Sequence, residues 1–218
     1  IACSFYDSIP GIYITGQVRT WELSSGSQRQ LGFQETNIVD MAKPVTKYSK
    51  LIKDIKDLPH ELEKAYKIAT SGRPGPVLLD IPMDIQWANI KDFKLLKLKK
   101  NKKEKSVGKT INLKKIDEVV DLIHKSKKIS ILCGGGVRYS KSEKLFKKFA
   151  EKIQAPVFTT YGGKECFPND HKLYSGMTGT MGYKPSNKNM GSSDLLLVIG
   201  SRLSWRQIRS TPKKFAEK

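Results

Sequence analysis

Histidine and cysteine are scarce in this sequence, with three of each among 218 residues. Cys3, Cys133 and Cys166 stand far apart, form no CxxC pair and leave one over, which excludes a disulfide framework and a thiolate zinc site. That usage points to a reducing compartment, and we expect a cytoplasmic protein. The three histidines are scattered; His60 and His124 sit among charged residues of helical segments, so neither is expected to act in catalysis. No run of about 18 apolar residues is present, so no segment reads as a membrane-spanning helix. G-x-S-x-G, H-E-x-x-H and P-loop signatures are missing too, which removes the commonest hydrolase, metalloprotease and nucleotide-hydrolysing arrangements.

Acidic residues are also in short supply. Twenty-one Asp and Glu face 40 Lys and Arg, for a formal charge of +19. Such a balance raises nucleic acid or an anionic membrane as partners. The excess is mostly lysine on helix faces, with one dense run, KLLKLKKNKKEK, at residues 94–105. Nucleic-acid readers interleave arginine or aromatic residues with their lysines, and this run has only Phe93 beside it. We therefore read it as a solvated linker and expect neither a nucleic-acid nor a membrane partner.

What is present alternates between two periodicities. GIYITG at residues 11–16 and PVLLDIP at residues 76–82 read as strands, the second apolar on both faces as a buried parallel strand is. Between them, DLPHELEKAYKIATSG predicts a helix with Asp57 as N-cap, Pro59 in the first turn and Gly72 beyond the end. Leu58, Leu62, Ala65, Tyr66 and Ala69 share its apolar face. In the second half Ile116, Val119, Val120 and Ile123 mark an amphipathic helix leading into the strand ISILC, residues 129–133. Ser140 and Glu143 form a capping-box signature before a helix with Leu145, Phe146, Phe149 and Ile153 in one stripe. PVFTTY and DLLLVIGSR are further strands. The fold class is therefore α/β, two parallel-sheet domains with flanking helices, and such sheets bind ligands at the carboxyl ends of their strands.

Three glycine-bearing stretches draw attention there. Gly134, Gly135 and Gly136 directly follow a strand, where backbone N–H groups can meet a phosphate, although the run is not G-x-G-x-x-G and serves equally as a tight turn. Arg202 and Arg206 lie one helical turn apart beyond another strand, able to meet a phosphate or carboxylate, or to face solvent. GMTGTMG, residues 176–182, is the third. RQLGFQETNIVDMAKPVTKYS, residues 29–49, is stranger: a buried-looking Phe33 precedes Gln34 and Glu35 at what reads as a helix start, where Glu35 would complement the helix dipole.

Taken in order, ITGQV, GFQETNIVDMAKPVTKYS and SGRPGPVLLDIPMDIQ resemble successive signature segments of thiamine-diphosphate enzymes of the acetolactate synthase (acetohydroxyacid synthase) large-subunit family. CGGGV, APVFTTYGGK, GMTGTMG and LLLVIGSRLSWR resemble, more loosely, that family's central domain. The resemblance implies that residues 1–90 are the C-terminal part of a pyrimidine-binding domain, 91–112 a lysine-rich linker, and 113–218 a truncated Rossmann-like central domain. It implies a 2-keto acid decarboxylase and carboligase using thiamine diphosphate and Mg²⁺, with pyruvate as donor and a homodimer or homotetramer as the assembly. Phe33 and Gln34 would stand beside the active-site funnel, Phe33 in its wall and Gln34 as a polar orienter. Arg73, Gly134, Gly135, Gly136, Gly179, Arg202 and Arg206 stand where the family contacts FAD, which some members lack or replace by ADP or coenzyme A. Met83 stands where acetolactate synthases usually carry lysine, which makes the funnel wall more apolar and puts an ordinary second keto acid in question. The family's activating glutamate would lie upstream of Ile1 and its Mg²⁺-diphosphate segment downstream of Lys218, so the piece shown is expected to be inactive alone. The alternatives are a relative acting on an acyl-CoA or aldehyde, and a non-catalytic nucleotide-binding module.

Overall fold

The structure, a computed structural model, describes residues 1–26, 28–89, 112–208 and 215–216. The chain divides into two compact units, Ile1–Gly108 and Lys109–Lys218. The linker expected at residues 91–112 lies outside the described residues, Asn112 excepted. Both units are α/β, each with one parallel sheet and flanking helices, as the alternating periodicities predict.

The first unit runs α1 (Ala2–Tyr6), β1 (Gly11–Gln17), α2 (Ile38–Ala42), β2 (Tyr48–Leu51), α3 (Leu58–Thr70), β3 (Pro76–Pro82) and α4 (Met83–Trp87). The sheet order is β1-β3-β2, all parallel, so β3 is central. Every residue of β3 is buried, which is why its run is apolar on both faces except at Asp80, whereas β1 alternates between half-buried and exposed positions. Ile52, Ala65, Ala69, Val77, Leu79, Ile81 and Ile85 form the core between sheet and helices. Pro59 opens α3, but Asp57 makes no side-chain cap; of the predicted stripe Ala65 and Ala69 are buried, while Leu62 and Tyr66 reach solvent. The ammonium of Lys47 closes the other end of α3, donating to the carbonyls of Ile68 and of Ser71 (2.7 Å), a cation where the helix dipole is negative.

The second unit runs α5 (Leu113–Lys125), β4 (Ile129–Cys133), α6 (Gly136–Tyr139), α7 (Glu143–Ile153), β5 (Val157–Thr159), β6 (Tyr174–Met177), α8 (Lys184–Gly191), β7 (Leu195–Ile199) and α9 (Trp205–Ile208). The parallel sheet has the order β6-β5-β4-β7. Ile131, Cys133, Phe146, Ala150, Val157 and Phe167 dominate one core; Leu132, Phe158 and Met190 pack the opposite face. Two expectations need correcting. Glu143 begins α7 behind Ser142, and Ser140 instead ends α6, its hydroxyl donating to the Val137 carbonyl (3.0 Å), so no capping box forms. Leu145 lies off the stripe and is exposed, leaving Phe146, Phe149 and Ile153 to face the core.

Candidate functional site

In the first unit the carboxyl end of the sheet is organised by one buried carboxylate that the sequence pattern does not single out. Asp80, 1% exposed in the middle of the apolar β3 run, accepts from the Thr15 hydroxyl (2.6 Å) and from the Gln17 amide (2.9 Å). A buried carboxylate demands such partners, since leaving it bare costs several kcal/mol. The same Gln17 Nε2 donates to the Thr36 carbonyl (2.7 Å), so Asp80 fixes Gln17 and Gln17 fixes the loop of residues 28–37 against the end of β1.

Glu35 closes that loop from within. Its two carboxylate oxygens accept the backbone N–H groups of Ser24 (2.7 Å) and Leu31 (2.8 Å). The N–H groups of Leu31 and Ser24 hold its pKa below the ordinary glutamate value, against the opposing effect of desolvation. The expectation that Glu35 complements a helix dipole is therefore corrected. The helix starts only at Ile38, capped by Asn37, and Glu35 is a loop staple. Gly32 is buried and packed tightly against Glu22, where an added Cβ would stand 3.0 Å from the Glu22 carbonyl oxygen and would need that neighbour to give by a few tenths of an ångström.

Held this way, the loop presents its two singled-out residues outward. Phe33 is 87% exposed, not buried as its apolar character led us to expect. Gln34 adopts φ +66, a left-handed conformation that a residue other than glycine takes at a cost of about 1 kcal/mol and keeps only where its surroundings enforce it. Met83, half-exposed, opens α4 immediately after β3, so Phe33, Gln34 and Met83 belong to the carboxyl-end side of this sheet. Arg73 does not. It lies in the connection entering β3 at the amino end, where its Nε donates to Ser8 Oγ (2.7 Å).

In the second unit three strand ends interlock through glycine. The Gly134 N–H donates to the Ile199 carbonyl and the Gly136 N–H to the Gly200 carbonyl, both at 2.9 Å. A Cβ on Gly134 would come within 2.3 Å of Gly200 O, one on Gly136 within 2.8 Å of Gly200 Cα, and one on Gly135 within 2.9 Å of Gly162 O. Close backbone approach thus requires these glycines, and two of their amides are already committed within the protein. Gly179, at φ +104, is held by Asn187, whose side chain accepts its N–H (2.8 Å) and donates to its carbonyl (3.0 Å). Its Cα faces α9, an added Cβ lying 3.5 Å from Arg206 O. Gly134–Gly136, Gly179 and Arg206 therefore gather at one end of this sheet, and Arg202 leaves β7 beside them. The two arginines do not share a helix, because α9 starts at Trp205 after a left-handed Leu203.

Beneath the glycine loops lie Cys133 and Cys166, both buried, the Cys166 thiol 3.9 Å from the Gly134 carbonyl. Burial pushes both thiols up in pKa, so they are inert packing groups and not nucleophiles. Among the described residues no set of three or more His, Cys, Asp or Glu is placed to hold a metal ion. No described helix is long and apolar enough to cross a membrane.

Residues 116–218 match the family described as thiamine pyrophosphate enzyme, central domain. Over nearly the whole chain the sequence is similar to acetolactate synthase large subunits. It is 38% identical over 210 residues to a protein of Methanocaldococcus jannaschii named probable acetolactate synthase large subunit, covering 94% of this chain and 34% of that protein. With the acetolactate synthase large subunit of Lactococcus lactis it shares 35% over 220 residues, covering 100% of this chain and 36% of the relative. With that of Corynebacterium glutamicum it shares 36% over 206 residues, covering 94% and 32%. The chain belongs to the acetolactate synthase large-subunit family of thiamine-diphosphate enzymes. It spans about a third of the length of the curated relatives it matches.

Within that family frame, several groups that shape the site were illegible in sequence. Asp80 and Gln17 build the loop seat, and Asn187 builds the Gly179 turn. A polar residue inside an apolar strand run was the available signal for Asp80; Asn187 carried none.

Proposed function

We propose that the whole protein is a thiamine-diphosphate- and Mg²⁺-dependent 2-keto acid decarboxylase and carboligase of acetolactate synthase type, with pyruvate as donor. The observation that carries this is the match to proteins of that name across 94–100% of the chain, spanning both units. On this reading residues 1–90 are the C-terminal part of the pyrimidine-binding domain, 91–112 the linker and 113–218 the central domain.

Bound thiamine diphosphate would supply the electron sink that lets a 2-keto acid lose CO₂. The residues of this chain supply position. Gln34 offers an amide that can donate to an oxyanion or accept from an aminopyrimidine without changing charge, and its left-handed backbone aims it from a stapled loop. Phe33 and Met83 add apolar wall that excludes water around the reacting groups. That donor set fits an aminopyrimidine. For FAD the fit lies with Arg202, Arg206 and Gly179, and Arg73 is retained on resemblance alone. The amides of Gly134 and Gly136 are spent on Ile199 and Gly200 and offer no phosphate cradle. Mg²⁺ would be held by residues outside the described ones. A homo-oligomer in the cytoplasm completes the proposal.

The test is turnover by the full-length protein. With pyruvate, thiamine diphosphate and Mg²⁺, acetolactate should form, and Gln34→Ala should lower kcat/KM by about tenfold to a hundredfold while thermal stability changes little, since Gln34 is exposed. A full-length protein that consumes no 2-keto acid under these conditions refutes the reading.

A further inference from the structure

Two residues beyond β1, the Arg19 guanidinium carbon lies 5.6 Å from the centroid of the Trp21 ring and 5.7 Å from that of Trp87. The two indoles come from different segments, one following β1 and one ending α4. Thr20 ties those segments together by donating its N–H (3.0 Å) and hydroxyl (2.6 Å) to Asp84. Desolvation works against the Asp84 carboxylate, but the Thr20 hydroxyl and N–H outweigh it and keep the group ionised and occupied. Both rings stay open to solvent, Trp21 at 65% and Trp87 at 67%, although indoles are normally drawn inward.

Among the described residues the carboxylates around this cation are bonded to other groups and not to its guanidinium. Glu22 spends Oε2 on the Arg19 N–H (3.0 Å), Glu35 is engaged by Ser24 and Leu31, and Asp84 by Thr20. Among the described residues no carboxylate forms a salt bridge with Arg19. Aromatic faces hold a guanidinium without consuming its N–H groups, which stay in one plane and match the paired oxygens of a carboxylate or phosphate. The cluster follows the carboxyl ends of β1 and β3, the side on which parallel sheets receive ligands.

We propose that Arg19, steadied by Trp21 and Trp87, is a binding subsite for the anionic group, carboxylate or phosphate, of a ligand entering at the carboxyl end of the first unit's sheet. Only the naming of that ligand as a 2-keto acid rests on the function proposed above. The anion pairs with the guanidinium edge, and the two exposed indoles cover the apolar remainder of the molecule.

Calorimetric titration of the full-length protein, wild type and variants, with pyruvate and separately with inorganic phosphate tests this at low salt. Arg19→Gln should weaken binding of one of the two anions by about tenfold, the loss expected for a charge-assisted hydrogen bond. Which anion responds tells carboxylate from phosphate. Arg19→Lys, with charge but no fork, should recover part of the affinity, and Trp87→Phe, which keeps an aromatic ring, should lose less than Arg19→Gln. Equal affinities of wild type and Arg19→Gln for both anions, or no binding of either by the wild type, overturn the subsite. If the wild type forms acetolactate and Arg19→Gln does so with unchanged KM and unchanged anion affinity, the subsite falls and the proposed function stands. If the protein binds an anion through Arg19 but forms no acetolactate, the subsite stands and the proposed function falls.

Discussion

Alanine at position 134 separates two explanations of the glycine run that follows β4. If the glycines serve backbone packing, a Cβ there would lie 2.3 Å from Gly200 O, 2.6 Å from Gly200 C and 2.6 Å from Ser201 Cβ. Comfortable contact needs roughly 3.5 Å, so the two strand ends must part by about 1 Å. None of the three atoms is the tip of a flexible side chain, and parting the segments stretches the Gly134 N–H to Ile199 carbonyl bond of 2.9 Å. Overpacking costs about 1–3 kcal/mol and the weakened hydrogen bond about 1 kcal/mol more, giving a loss of about 3 kcal/mol for Gly134→Ala. Hydrogen exchange on the full-length protein should show the loss as faster exchange of the amides of β4 and β7. Gly162→Ala is the control, since its Cβ would meet nothing nearer than Gly135 Cα at 4.0 Å, and its effect should stay within about 0.5 kcal/mol. A phosphate cradle predicts the opposite pattern, with nucleotide affinity lost and protection kept. Exchange in Gly134→Ala matching the wild type to within about 0.5 kcal/mol would refute the packing argument.

Two other consequences follow from single groups. Thr159 Oγ1 is buried at the end of β5 without a hydrogen-bond partner among the described residues, and Thr159→Val should therefore stabilise the second unit by about 1 kcal/mol in denaturant unfolding; a loss of that size instead would mean the hydroxyl is satisfied. Glu35 has its folded-state pKa depressed by the N–H groups of Leu31 and Ser24, so the order it imparts to the loop is fully present above the ordinary glutamate value of 4.5 and is lost as pH falls through the lower folded value. Limited proteolysis should thus cut residues 24–35 faster at acid pH than at pH 6, and Glu35→Gln should abolish that difference by making the loop labile at both.

How far the sequence carried depends on the range over which each signal acts. PVLLDIP and ISILC coincide with β3 and β4, because burial on both faces writes a mostly apolar run into the chain itself, interrupted only by Asp80 and Ser130. The face of α3 was half right: Ala65 and Ala69 are small and point at the sheet, whereas Leu62 and Tyr66 follow the same period but reach beyond the area the sheet covers. The capping box at Ser140 failed because α6, a single short turn, claimed that serine first. Phe33 misled for the plainest reason, since an apolar side chain shows its preference for burial but not whether the loop bearing it is turned outward.

The sequence by itself determined the alternation of strands and helices, the parallel sheets that follow from it, and a family signature readable in short consecutive stretches. These are local properties, set by periodicity and by residues adjacent in the chain. Tertiary structure alone decided that Asp80 holds Gln17 and through it the loop of Phe33 and Gln34, that Gly200 fills the space over Gly134, and that Arg19 meets two indoles from segments far apart in the chain, Trp21 and Trp87. Apart from Arg19 with its near neighbour Trp21, each of those contacts joins distant segments, and its energy depends on distances of a few ångströms that exist only once the sheet has brought the strand ends together.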